Sequence, residues 1–192
     1  MNVIFLDLDG VLYSLRGESF EQLEERVKLL SRICKETDSK VVLSAGSKNM
    51  INGKTNRPKE KATRWMKTLF VLFDQNDIEC IGKTPNVERR LTDFETIDQW
   101  KEDEIRKYLF NHPEVEHYCV IDDDDYTVGD DYSRSELNKV RAHLVETSLY
   151  SPMGASEECL LERHIDEVKE VMKLDNEIKR FALKKQLKRN KC

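Results

Sequence analysis

The sequence has no long hydrophobic run, and this absence excludes the simplest membrane architecture. No apolar stretch approaches the roughly 18 residues that a membrane-spanning helix needs. The first ten residues have no basic segment ahead of their apolar part and carry two aspartates within it, unlike a secretory signal. We therefore expect no signal peptide, no contact with a membrane and a cytoplasmic location.

Paired cysteines are missing as well. The five cysteines are odd in number, widely spaced and form no CxxC pair, so neither a disulfide framework nor a zinc site is indicated. The net charge of −5 argues against a generally basic surface that coats nucleic acid. There is no internal repeat and no low-complexity linker, and 192 residues predict one compact domain with a modest extension.

Short β-branched runs alternate with helical patterns along the chain. The predicted strands are residues 3–6, 40–44, 78–82, 117–121 and 143–147. Apolar residues at helical spacing lie between them, in residues 20–34, 62–73 and 97–109. Ser19 and Gln22 form a predicted capping box at the start of the first helix. This alternation predicts an α/β fold with a doubly wound parallel sheet.

The C-terminal part of the sequence has a helical pattern of its own. Residues 156 to about 188 predict a long C-terminal helix, and residues 179–191 contain seven basic side chains and no acid. The predicted organisation is a domain of residues 1–155 followed by a helical extension of residues 156–192 with a basic end.

Polar residues follow three of the predicted strands, where an open parallel sheet places its reactive crevice. The first strand runs into Asp7 and Asp9, the second ends at Ser44, and the fourth runs into four aspartates at 122–125. Carboxylates brought together repel one another unless a cation lies among them, and hard oxygen ligands favour Mg²⁺. The sequence therefore predicts a magnesium site at this edge.

The same residue types have the chemistry of phosphate transfer. A carboxylate can act as a covalent nucleophile, and a second carboxylate two residues later can protonate a leaving oxygen. Ser44 offers a hydroxyl, and the backbone N–H groups after it could meet phosphate oxygens. Lys101 falls in the middle of the apolar face of its predicted helix, where an ammonium needs an anionic partner.

Three motifs in order carry a family resemblance: FLDLDGVL, LSAG and VIDDDD. They resemble the haloacid dehalogenase (HAD) superfamily of aspartate-nucleophile phosphatases. Their spacing, with the segments IGKTP and KEDEI, is similar to the HAD domain of the Swiss Army Knife RNA repair proteins. The resemblance covers residues 3 to about 168, and implies a three-layer, HAD-like (Rossmannoid) fold and a Mg²⁺-dependent hydrolase.

The resemblance also implies residue roles. Asp7 would be the nucleophile and Asp9 the general acid and base, while Lys101 would neutralise the phosphate and the nucleophile. The implied phosphate-binding residues are Ser44, Ala45 and Lys48. The implied metal ligands are Asp7, Asp9, Asp122 and Asp123, with Asp9 acting through its backbone carbonyl.

The spacing of the motifs bears on the substrate. Too few residues follow the first and third strands to form a cap domain, so the fold is expected to be capless, and an open crevice suits a macromolecular phosphate. With the resemblance, this predicts action on nucleic-acid terminal phosphates, above all a 3′-phosphate, with the polar loop 45–58 facing the substrate. Two alternatives stay open: a phosphoprotein or small-metabolite phosphatase, and a non-catalytic HAD-fold module that binds a partner through its basic helix. The oligomeric state stays open too.

Overall fold

A parallel five-stranded sheet forms the centre of the molecule. The computed structural model describes residues 1–14, 19–87, 97–124, 140–147, 149–151, 154–157 and 159–176. The strands of the central sheet are β1 (Asn2–Leu6), β2 (Ser39–Leu43), β5 (Cys80–Lys83), β6 (His117–Asp122) and β7 (Leu144–Glu146). Two short antiparallel pairs lie outside it: β3 (Ile51–Asn52) with β4 (Arg57–Pro58), and β8 (Leu149–Ser151) with β9 (Gly154–Glu157).

The order of strands across the sheet is β5-β2-β1-β6-β7, and every neighbouring pair is parallel. The strand that begins the chain is therefore central. Leu6 at the end of β1 is level with Leu43 of β2 and with Ile121 of β6. The three central strands consequently end side by side, and the residues that follow them emerge together.

Helices cover both faces of the sheet. They are α1 (Phe20–Thr37), α2 (Arg64–Gln75), α3 (Ile97–Asn111) and α4 (His164–Val171). Side chains of β1 alternate between two buried clusters: Ile4 and Leu6 pack with residues of α1, α2 and α4, and Val3 and Phe5 pack with residues of α3. The sequence prediction of a three-layer α/β fold with a parallel sheet is confirmed.

The local signals at the predicted elements agree with the structure. All five strands predicted for the sheet are present, with ends that differ by one or two residues. The Ser19 hydroxyl accepts from the Gln22 backbone N–H, and the Gln22 side chain accepts from the Ser19 N–H, so the predicted capping box is confirmed. This box begins α1, which connects β1 to β2.

The C-terminal helix begins later than its pattern predicts. Residues 154–157 form β9, and α4 spans only His164–Val171. Cys159 adopts a left-handed backbone conformation with φ of 74°, which a helix cannot contain. A start at residue 156 is therefore wrong. The basic segment 179–191 and Asp125 lie outside the described residues, and the division at residue 155 stays a prediction.

None of the helices in the described residues is both long and apolar enough to cross a membrane.

Candidate active site

A row of polar residues runs across the carboxyl edge of the sheet. The backbone ladder extends one residue beyond four of the strands through N–H···O=C bonds of 2.9 to 3.0 Å from these residues to the neighbouring strand, and the fifth residue of the row is the last one of β6. From β5 to β7 the row reads Thr84, Ser44, Asp7, Asp122 and Thr147. Their side chains are all buried, so five polar groups lie next to one another at the end of an apolar core.

Lys101 reaches into this row from α3. Its ammonium donates to Asp7 Oδ2 at 3.3 Å, to both carboxylate oxygens of Asp122 at 2.9 and 3.1 Å, and to Asp124 Oδ2 at 3.1 Å. Burial acts to lower the pKa of Lys101, but the carboxylates of Asp122 and Asp7 outweigh it and raise the pKa. Lys101 is therefore a permanent positive charge beside Asp7.

One ammonium does not neutralise the carboxylates around it. Oxygens of Asp7, Asp122 and Asp123 all lie within 4.8 Å of one another. Burial and the Asp122 carboxylate raise the pKa of Asp7 to about 7. Burial and the carboxylates of Asp122 and Asp124 raise the pKa of Asp123 to about 6. Four carboxylates, those of Asp7, Asp122, Asp123 and Asp124, therefore lie around one ammonium, which leaves an excess of negative charge when they are ionised.

This excess charge fits a hard divalent cation. Asp7, Asp122 and Asp123 supply three carboxylate groups from the ends of two adjacent strands, with no nitrogen or sulfur ligand among the described members of the cluster. Oxygen-only sites of this kind suit Mg²⁺ rather than a soft metal. These three residues would hold the ion; the predicted identity of the metal and the full ligand set, with Asp9, stay predictions.

Gly10 makes room for one of these carboxylates. It has a φ of +72°, and a Cβ at this position would overlap the carboxylate of Asp123. Its carbonyl accepts a hydrogen bond of 2.9 Å from the buried Thr147 hydroxyl. A residue other than glycine would be strained here and would displace Asp123. Gly10 therefore shapes the turn that follows Asp7.

Two buried hydroxyls, at the end of β2 and in the loop after it, have no hydrogen-bond partner in the described part of the chain. The Ser44 Oγ and the Ser47 Oγ are enclosed, and neither has a partner among the described residues. Ser44 is next to Asp7 in the row, since its backbone N–H donates to the Leu6 carbonyl at 2.9 Å. A buried hydroxyl without a partner costs free energy, so these two groups are suited to a ligand with acceptor oxygens.

The loop after β2 brings a buried lysine, Lys48, close to the Thr84 end of the row. Lys48 is buried and forms an ion pair with Glu104 of α3, which also accepts a hydrogen bond of 3.3 Å from the Thr84 hydroxyl. The predicted role of Lys48 in phosphate binding is untested, but its ammonium already has a buried carboxylate partner. Ala45 is fully buried at the start of the 3₁₀ helix Gly46–Met50.

Asp9 differs from the other predicted carboxylates in its exposure. It is exposed, and its side chain is not part of the three-residue carboxylate cluster. A position at the mouth of the site is compatible with proton exchange with a leaving group and with water. Its role stays a prediction.

The whole row lies within a segment that matches a known family. Residues 3–157 match the model of the HAD domain in Swiss Army Knife RNA repair proteins. The chain belongs to this family. Membership of this HAD domain family indicates a hydrolase of the phosphatase type. No curated protein and no solved structure matches the chain.

Four residues of this HAD domain site were missed by sequence reasoning. Ser47 lies in the LSAGS segment, and its closeness to the Ser44 motif is the signal that could have indicated it. Thr84 and Thr147 each follow a predicted strand, so extending the rule used for Asp7 to every strand end would have found them. Glu104 has no local signal, because its importance depends on the Lys48 side chain 56 residues away.

Proposed function

We propose that this HAD domain is a Mg²⁺-dependent phosphomonoesterase that works through an aspartyl-phosphate on Asp7. One observation carries the proposal: a buried carboxylate, Asp7, is contacted by Lys101 and is next in the row to the hydroxyl of Ser44, which has no partner among the described residues. Covalent catalysis by a carboxylate requires such surroundings, because the attacking group must approach a phosphate that is itself negatively charged.

The first half-reaction transfers the phosphoryl group to the protein. Asp7 attacks phosphorus in line, the new oxygen–phosphorus bond forms, and the bond to the leaving oxygen breaks. Asp9 gives its proton to that oxygen, so the leaving group departs as an alcohol. Lys101 and the Ser44 hydroxyl interact with the phosphate oxygens throughout.

The second half-reaction restores the protein. Asp9 takes a proton from water, the water oxygen attacks phosphorus, and the bond from phosphorus to Asp7 breaks to release inorganic phosphate. Asp7, Asp122 and Asp123 would hold Mg²⁺, which when bound supplies positive charge to the phosphate oxygens. The edge of the sheet and α3 position the side chains that react with or contact the phosphate.

The proposed substrate is a nucleic-acid end that carries a 3′-phosphate. The family described for RNA repair proteins supports this class of substrate. The short connection of residues 7–19 between β1 and α1 also supports it, since a phosphate on a large molecule needs an open approach. The cytoplasm is the proposed location.

Hydrolysis of an aryl phosphate tests the chemistry. We expect turnover that requires Mg²⁺ and falls at least about a thousandfold in Asp7→Asn, because a nucleophile is removed. Asp166→Asn is the matched control, since Asp166 is 89% exposed on α4. Magnesium-dependent turnover that survives in Asp7→Asn would overturn the mechanism.

Phosphorylated oligonucleotides test the substrate. We expect an oligonucleotide with a 3′-phosphate to be hydrolysed with a higher kcat/KM than the aryl phosphate, and the same oligonucleotide with a 5′-phosphate to be a poorer substrate. Strong turnover of small phosphate esters with none on phosphorylated oligonucleotides would contradict this assignment while leaving the phosphatase chemistry intact.

A further inference from the structure

A cavity lies beside the proposed phosphate site. It has a volume of about 380 Å³ and is enclosed by the loop after β2, the end of β5 and the C-terminal half of α3. Thr84 belongs both to its lining and to the polar row. Two strand spacings separate Thr84 from Asp7, which is about 10 Å along the sheet edge. The cavity is therefore adjacent to the site but distinct from it.

Among the residues that the structure describes in the lining of this cavity there is no carboxylate, although the chain has 37 acidic residues. Four of the polar side chains described in the lining are neutral amides, and Lys83 is the one Lys, Arg, Asp or Glu among these described residues. The amide residues are Asn49, Asn56, Asn86 and Asn111. A neutral, amide-rich surface with one positive charge is suited to an uncharged polar group that is attached to an anion.

Lys83 has only neutral acceptors near its ammonium. It donates to Asn49 Oδ1 and to the Ile51 carbonyl, both at 3.4 Å, and no carboxylate lies within ion-pair distance in the described part of the chain. Burial lowers the pKa of Lys83, and the positive charges of Lys59 and Lys48 lower it further. An anion placed here would meet an ammonium that is not already neutralised.

Two of the asparagines have amide groups that no described residue uses as a hydrogen-bond donor or acceptor. Asn49 Oδ1 accepts from Lys83 and from Asn86 Nδ2, which leaves the Asn49 amide N–H groups without a partner among the described residues. The Asn56 side-chain amide donates to the Ile81 carbonyl at 2.6 Å, and no described residue donates to the Asn56 Oδ1. Free donors and acceptors of amides match the edge of a nucleobase.

Aromatic rings form another part of the wall. Tyr108 and His112 of α3 stack with ring centroids 4.1 Å apart and an angle of 21° between their planes. Both line the cavity. Tyr108 is buried and also packs against Phe5, so His112 is the ring with exposed surface for a planar base, and the volume is that of a small-ligand site.

We propose that this cavity binds the nucleoside next to the reacting phosphate, with Lys83 contacting the following phosphodiester. This inference rests on the proposed function, because the cavity is assigned to the leaving group of that reaction. A separation of about 10 Å between Thr84 and Asp7 is within the length of one nucleotide from its phosphate to the far edge of its base. Asn49 and Asn56 of the loop 45–58 thereby select the substrate without taking part in the chemistry.

Steady-state kinetics on two substrates test the assignment. In Lys83→Gln we expect the KM of a 3′-phosphorylated trinucleotide to rise about tenfold, the usual effect of losing one charge-assisted hydrogen bond. The KM and kcat for an aryl phosphate should stay within about twofold of the wild type. Asn49→Ala should act in the same direction, and thermal melting of both variants checks that they fold.

Lys61→Gln is the matched control, because Lys61 is exposed in the turn before α2 and is not part of the lining. The trinucleotide KM should not change in this variant. A trinucleotide KM that is unchanged in both Lys83→Gln and Asn49→Ala, or an equal loss on both substrates, would overturn the proposal.

A binding experiment separates this proposal from the proposed function. Fluorescence anisotropy with a labelled 3′-phosphorylated trinucleotide needs no turnover, so it applies even if no phosphatase activity is found. Binding about tenfold weaker in Lys83→Gln than in the wild type supports the cavity assignment on its own. Unchanged binding refutes it, as does a phosphopeptide that binds as tightly as the trinucleotide.

Discussion

At the scale of single residues, Gly10 links backbone conformation to metal binding. Replacement by alanine adds a Cβ that overlaps the Asp123 carboxylate, and it strains a backbone with φ of +72°. We expect Gly10→Ala to weaken Mg²⁺ binding by about 10- to 100-fold, the range seen when the groups that orient metal ligands are altered. Isothermal titration calorimetry would measure the change.

Gly53→Ala is the control for this substitution. A Cβ on Gly53 meets nothing within 4 Å, and its φ is not in the left-handed region. The affinity for Mg²⁺ should therefore equal that of the wild type. Equal affinities in Gly10→Ala and Gly53→Ala would show that Asp123 is not a ligand or that it moves without cost.

The raised pKa of Asp7 predicts that the free energy of unfolding of the metal-free protein depends on pH. Its pKa is raised from 3.8 to about 7, so the folded state holds a proton that the unfolded state releases near pH 4. This stabilising contribution is complete below about pH 4 and is lost as the pH rises through about 7. The ionised Asp7 carboxylate is then buried beside Asp122.

Asp7→Asn removes that ionisation. In the presence of a chelator we expect its Tm to exceed that of the wild type at pH 8, by roughly 2 to 4 °C for each kcal/mol of relieved repulsion, and the gain to shrink towards pH 5. Thermal melts across this pH range would measure it. Asp166→Asn should show no such trend, and a gain in Asp7→Asn that is constant with pH would contradict the argument.

Sequence reasoning located the residues whose placement depends only on strand ends. Asp7, Ser44 and Asp122 each follow an apolar run, and parallel strands bring their ends to one edge. Sequence reasoning could not find the partner of Lys48, because that ion pair depends on where α3 crosses the sheet. Pairs of this kind are set by tertiary structure alone.

At the scale of elements, α3 is held by two buried sets of charges one helical turn apart. Lys101 contacts the carboxylates of the row, and Glu104 contacts Lys48 and Thr84. Replacing one partner of a buried pair leaves the other charge uncompensated. The position of Lys101 over Asp7 therefore depends on Glu104.

We expect Glu104→Gln to lower the free energy of unfolding by about 3 to 5 kcal/mol, because Lys48 keeps a buried charge. The double variant Lys48→Met with Glu104→Leu should recover most of the loss, since no buried charge remains. Urea denaturation would measure both.

The exposed pair Lys40–Glu79, 2.9 Å apart, is the control: Glu79→Gln should cost less than about 1 kcal/mol. A double variant no more stable than Glu104→Gln would contradict this account.

The elements differ in how well the sequence predicts them. The central strands are continuous apolar runs and the capping box of α1 is local, so both could be predicted. The start of α4 could not be predicted. Apolar residues at helical spacing in 161–172 indicate a helix, but they do not show that residues 154–157 before it pair with β8. The left-handed Cys159 separates the two, and no residue-type rule indicates it.

At the scale of the whole molecule, metal binding and stability are linked by mass action. The proposed ligands come from the ends of β1 and β6, so only the folded chain brings them together. A ligand that binds the folded state alone stabilises it by about 2.7 kcal/mol at 100 times its Kd. For a chain of 192 residues this corresponds to a rise in Tm of roughly 5 to 11 °C.

The rise in Tm that Mg²⁺ causes should depend on the carboxylate cluster of Asp7, Asp122 and Asp123. In Asp123→Asn we expect Mg²⁺ to raise the Tm by less than half as much as in the wild type, while Asp77→Asn, which alters an exposed carboxylate, should respond like the wild type. Differential scanning fluorimetry over a series of Mg²⁺ concentrations, with K⁺ at equal ionic strength, would separate specific binding from screening. Because each variant is compared with itself without metal, a change in its basal stability does not affect the result. An equal Mg²⁺ response in Asp123→Asn would place the ion elsewhere, and an equal response to K⁺ would show that screening, not a bound ion, relieves the excess negative charge.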